Sequence, residues 1–139
     1  MSRRRAREVA FKVLFQVDLV GSDIEDALEH LEVDSQLTGK EMNFARDLVF
    51  GTIDNMEAID RQVANYSPDW PLDRMGTVDR TLLRMAAYEI IFGAEVHPVV
   101  AIDEAVELAK RFGDDNSKKF INAILDHIRE DRSEPLPGD

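Results

Sequence analysis

The 139-residue chain contains no cysteine. That excludes a disulfide framework and any thiolate metal site, and it fits a reducing cytosol. No apolar run approaches the roughly 18–20 residues needed to span a bilayer, so no membrane association is expected. Histidines number three, and His30, His97 and His127 show no ligand spacing, so no metal centre is expected. Neither common phosphate-cradling glycine loop occurs. Asp103, Glu104 and Glu107 resemble paired catalytic carboxylates only superficially, because acids near a helix start answer the helix dipole. No catalytic residue and no cofactor are expected. No stretch alternates like a strand, so the fold class is all-α. The amino end is basic, but an amphipathic pattern follows it in place of a continuous apolar region, so a signal peptide is not expected.

What is present is an uneven charge. The chain carries −11 overall, yet residues 1–12 hold five Lys/Arg against one acid, a local +4. The other 127 residues carry twelve cations against 27 acids, or −15. An acidic body repels nucleic acid everywhere except at such a local footprint. Arg3, Arg4, Arg5 and Arg7 begin a helix whose apolar stripe is Ala6, Val9, Ala10, Val13, Leu14 and Val17. Phe11 and Phe15 fall off that stripe, beside Arg4 and Arg7. Arginines with aromatics on an outward face suit single-stranded RNA, whose bases stack on rings while cations neutralise its phosphates.

About seven helices follow from the spacing and punctuation. Gly21-Ser22-Asp23 ends the first, and Ser22 or Asp23 caps the second, which runs from Ile24 to Glu32 and buries Ile24, Leu28 and Leu31. Its acids, Glu32 among them, read as a solvated face or as a surface that meets a basic protein. Thr38 and Glu41 have capping-box spacing, and a break within Gly51–Asn55 separates helices three and four. Ser67-Pro68-Asp69-Trp70-Pro71 reads as the joint between two helical halves, 1–66 and 72–132, with Trp70 packed over the seam. Helix five, Thr77 to Phe92, is apolar nearly all round, which marks a core helix. Gly93 ends it. His97-Pro98 opens helix six, Gly113 closes it, and helix seven buries Ile121, Ile124, Leu125 and Ile128. Residues 133–139 read as a loose tail.

A second basic and aromatic patch lies at the turn between helices six and seven. Lys110, Arg111, Phe112, Asn116, Lys118, Lys119 and Phe120 bracket a helix N-terminus whose amides can bind phosphate. If it lies beside helix one, the two patches form one RNA-binding surface.

Three segments in order, with fitting gaps, resemble the NusB family of bacterial transcription antitermination factors. They are Arg3–Glu8, Leu82–Glu89, and Val100–Gly113 continuing through Ser117, Lys119–Asn122 and Leu125-Asp126. The resemblance covers about residues 3–128. It implies two small packed helical bundles, seven helices in all, acting as a single RNA-binding domain over 1–132. It further implies pairing with NusE, a small-subunit ribosomal protein, binding to boxA-type RNA in nascent ribosomal RNA, and service in the RNA polymerase antitermination complex in the cytoplasm. Carried over by position, Arg3, Arg4, Arg5, Arg7, Phe15, Phe112, Asn116, Lys119 and Phe120 become RNA contacts, and Asp79 a partner or RNA contact. Phe15 stands where the family commonly has tyrosine. Two other readings accommodate the same residues: a helical adaptor that never touches RNA, and a free-standing relative of the NusB-like targeting domain of ribosomal-RNA methyltransferases. A homodimer is compatible with either patch.

Overall fold

A computed structural model describes residues 3–93 and 95–133. All but the first residue of the tail expected at 133–139 lie outside the described residues. Seven α-helices run through the described chain: α1 (Arg3–Val20), α2 (Ile24–Ser35), α3 (Gly39–Asp54), α4 (Met56–Asn65), α5 (Thr77–Phe92), α6 (Pro98–Phe112) and α7 (Ser117–Ser133). One 3₁₀ turn, Leu72–Arg74, joins α4 to α5. The chain forms two compact units, 1–55 and 56–139.

In the first unit α1 packs against both α2 and α3. Ala6, Val9, Ala10, Val13 and Leu14 are buried, as their spacing requires, while Val17 is half-buried. Phe11 is also buried, at 3% exposure, and so is Arg7, at 3%. The outward face expected for them does not exist there. A helix gripped by two neighbours buries an arc wider than the single stripe its periodicity shows. Gly21 ends α1 at φ +69°, a conformation in which a side chain is strained although the space around it is open. Asp23 is the cap of α2, accepting from the Asp26 amide at 3.0 Å. Glu32 is not part of a solvated face. It is buried, paired at 3.1 Å with Arg46 Nε reaching over from α3. Ile24 and Leu31 are only half-buried, and Ala27 and Leu28 make the core contact. The Thr38–Glu41 capping box forms, with Glu41 accepting from the Thr38 amide at 2.9 Å.

In the second unit α5 is central, covered by α4, α6 and α7. It buries nine residues between Thr81 and Ile90, and Ile121, Ile124, Leu125 and Ile128 of α7 meet it as expected. The division between units falls at Asn55, not in the proline turn. Ile59 and Val63 seat α4 on the second unit's core, and Arg84 holds Asp60 of α4 in a two-pronged pair at 2.8 and 2.9 Å. The proline turn is therefore an internal loop of this unit. Ser67 Oγ donates to the Trp70 carbonyl at 2.7 Å, closing it, and the Trp70 side chain is 51% exposed instead of covering a seam. Arg80 donates to the carbonyls of Leu72 and Met75 at 2.9 and 3.0 Å, clamping the 3₁₀ turn to α5.

Candidate nucleic-acid interface

The first patch is built on the opening turn of α1. No acid stands in that turn, so arginine charge adds to the positive pole of the helix dipole. The arginines do not share one environment. Arg4 and Arg5 are exposed, Arg3 is half-buried and Arg7 is buried. Arg3 and Arg7, one helical turn apart, each place the guanidinium carbon 5.1 Å from the ring centroid of Phe44 on α3, within cation–π range. Arg5 donates to the Ser35 carbonyl at the end of α2. It also lines a shallow groove of about 430 Å³ with Glu8, Lys12, Asp34 and Gln36. Lys12 is paired with Glu8 at 3.3 Å. Phe15 is half-buried, its ring 5.8 Å from that of Phe11. Part of the Phe15 ring remains exposed.

Phe44 was not among the residues singled out from sequence. It sits one position before the buried stripe of Ala45, Leu48 and Val49, where a half-exposed aromatic is ordinary. Only the packing of α3 along α1 reveals its relation to the arginines.

The second patch belongs to the other unit. Lys110, Arg111, Asn116, Lys118 and Lys119 are exposed, Phe112 is 36% exposed and Phe120 is half-buried. The Arg111 guanidinium lies 4.9 Å from the Phe112 ring centroid, and Lys110 pairs with Glu107 at 3.1 Å. The turn is tightly specified. Asp114 Oδ1 accepts from the amides of Asn116 and Ser117 at 2.9 and 3.1 Å, and Ser117 Oγ accepts from the Asp114 amide at 3.1 Å. Two of the amides expected to receive a phosphate are therefore already held by Asp114. The side chains of Lys118 and Lys119 are exposed beside that turn. Gly113 permits the turn, since a Cβ there would lie 2.6 Å from Ser117 Oγ.

Asp79 is half-buried in the first turn of α5, where the dipole of a core helix accounts for an acid. The histidines serve local structure. His97 Nδ1 accepts from the Val99 amide at 3.2 Å as the cap of α6, His127 stacks on Tyr66 at 5.2 Å, and His30 lies 3.5 Å from Asp34. Among the described residues no group of three or more His, Asp or Glu could hold a metal, and no helix is long and apolar enough to cross a membrane.

The NusB family profile matches residues 4–130. A transcription antitermination protein NusB of Syntrophomonas wolfei is 51% identical over 128 residues, 92% of this chain and 96% of that protein. The Bacillus subtilis protein of the same name is 40% identical over 131 residues, 94% of this chain and 97% of that one. Among solved structures, T. maritima NusB superimposes with a TM-score of 0.89 at 39% identity, covering 96% of this chain and 94% of that one. A crystal structure described as antitermination factors NusB and NusE in complex with dsRNA gives 0.84 at 28% identity, covering 93% and 96%.

Proposed function

Because this chain belongs to the NusB family, we propose that it is a non-catalytic, RNA-binding transcription antitermination factor. With a NusE partner it binds boxA-type single-stranded RNA in nascent ribosomal RNA and joins the RNA polymerase antitermination complex in the cytoplasm. The observation that carries the reading is the arginine-filled first turn of α1 on a chain of net charge −11. The solved relative with NusE and dsRNA supports the partner and the ligand class. Arg3, Arg4 and Arg5 reach phosphates and Phe15 stacks a base. In the second unit Phe112 and Phe120 offer partly exposed rings, Asn116 a base-edge contact and Lys119 a further phosphate contact. Residues 1–132 act as one RNA-binding domain. The half-exposed rings favour single strands, because paired bases in an A-form helix are not open to stacking.

The test is a titration of a boxA-type single strand, and of its duplex, with and without NusE, across salt. Three phosphate contacts from α1 and one from Lys119 give a log–log slope of about −3 on single-stranded RNA. A slope near zero, or equal affinity for the duplex, would reject the reading.

A further inference from the structure

We propose that Phe44 is a positioning residue of the RNA site, acting through Arg3 and Arg7, and that Arg7 acts through that shared ring without touching RNA. The proposal rests on the RNA-binding reading above. Two cations converge on one ring: both guanidinium carbons lie 5.1 Å from its centroid. They therefore stand within about one Debye length of each other, about 10 Å at 0.1 M salt, and repel. The negative face of an aromatic ring is the surface that tolerates such a pair. Phe44 is itself fixed. The Thr38–Glu41 capping box starts α3 just before it, and Ala45 and Leu48 are buried beside it.

Arg7 makes the case sharper. At 3% exposure it cannot lie along a phosphate backbone without leaving its place in the core. A hydrophobic residue of similar volume would fill that place at lower desolvation cost. An arginine there places a second guanidinium on the ring that Arg3 uses, one turn away. The half-buried Arg3 side chain, resting on the same ring, is held for a ligand instead of sweeping through solvent. Holding a long side chain in advance removes part of the entropy that binding would otherwise cost.

The experiment compares Phe44→Leu, Phe44→Tyr and Arg7→Lys in the full chain, measuring RNA affinity across salt, thermal midpoint, and guanidinium N–H NMR shifts. Phe44→Leu keeps an apolar side chain and removes the ring. It should weaken RNA binding about fivefold at low salt, with the slope shallower by about 0.7 as one phosphate contact is lost. It should also remove the ring-current displacement of the Arg3 and Arg7 signals. Phe44→Tyr keeps the ring and should restore all three readouts. Arg7→Lys keeps the charge and should leave the slope unchanged. Wild-type affinity and slope in Phe44→Leu, with only the thermal midpoint lowered, would overturn the proposal while the RNA-binding reading stands. A Phe44→Tyr variant as weak as Phe44→Leu would also overturn it. Failure of the unmodified chain to bind RNA would overturn both.

Discussion

Replacing Gly113 with alanine tests whether the α6–α7 turn is held by space alone. Gly113 has φ −96°, an ordinary value, so alanine meets no backbone penalty. The obstacle is the added methyl group, which would lie 2.6 Å from Ser117 Oγ, 2.7 Å from Ser117 Cβ and 2.9 Å from the Ala109 carbonyl. The Ala109 carbonyl accepts from the Gly113 amide at 2.8 Å and is backbone of α6, so it cannot swing aside. Ser117 is 2% exposed and bonded to Asp114, so it can yield only by giving up that contact. Overpacking of this kind costs about 1–3 kcal/mol, and the lost cap hydrogen bond about 1 kcal/mol more. The sum, about 2–4 kcal/mol, should lower the thermal midpoint by roughly 6–15 °C for a chain of this length. Gly39→Ala is the control. Its added methyl group meets nothing within 4 Å, and the change should be neutral or stabilising by about 0.4–1 kcal/mol. Melting followed by circular dichroism separates the two. A Gly113→Ala midpoint within about 2 °C of wild type would refute the steric argument and show that the turn relaxes freely.

Arg84→Lys should destabilise by about 1–2 kcal/mol despite keeping its charge, because one ammonium cannot reproduce the two-pronged, partly buried grip on Asp60; urea titration measures it, and an unchanged midpoint would count against that pair. Phe15→Ala should cost about 1–3 kcal/mol of RNA binding through the lost stack and also some stability through its contact with Phe11, so a loss of stability with RNA affinity intact would make Phe15 a core residue only.

Helix boundaries were legible wherever a local signal sets them. The span Thr77–Phe92 followed from its apolar run and Gly93, and α6 from His97-Pro98 and Gly113. What was not legible depends on partners distant in sequence. Phe11 and Arg7 are buried because α1 meets two helices, and one helix's periodicity shows the direction of its buried face but not its width. Glu32 is buried because Arg46, fourteen positions later, reaches it. The unit boundary escaped for the same reason. Prolines mark where backbone regularity stops, whereas a compact unit ends where packing stops, and Ile59 and Val63 carry α4 across the proline turn to α5. Of the site, the cationic and aromatic residue types were readable. Which arginines remain on the surface was not, because Phe44 enters only through the fold.

The poles of the helices supply an argument that neither charge totals nor family likeness contains. α2, α3, α4 and α5 each carry acid in the first turn: Glu25 and Asp26, Glu41, Glu57, and Asp79. Each such placement contributes about 0.3–1 kcal/mol against the dipole, and an acidic chain has carboxylates to spare. α6 opens on Pro98 and has no acid in its first turn either, so Asp103, Glu104 and Glu107 lie beyond it; α1 and α7 go further and place cations there. Their first turns hold no acid; Arg3, Arg4 and Arg5 occupy one, Lys118 and Lys119 the other. Stability alone would not choose this, since it forgoes the dipole gain and adds like charge to the pole. The fold offsets part of the loss locally, through Phe44 beneath Arg3, the Ser35 carbonyl beside Arg5, and Asp114 ahead of Ser117. Both helix ends therefore carry cations where the dipole favours acids, each next to a half-exposed phenylalanine. On the proposed function, each end would meet phosphate through its cations and a base through its ring. Arg4→Glu, which places an acid in the first turn of α1, should therefore reduce RNA affinity while keeping the thermal midpoint within about 2 °C of wild type. A variant that lost both would show the arginines to be structural.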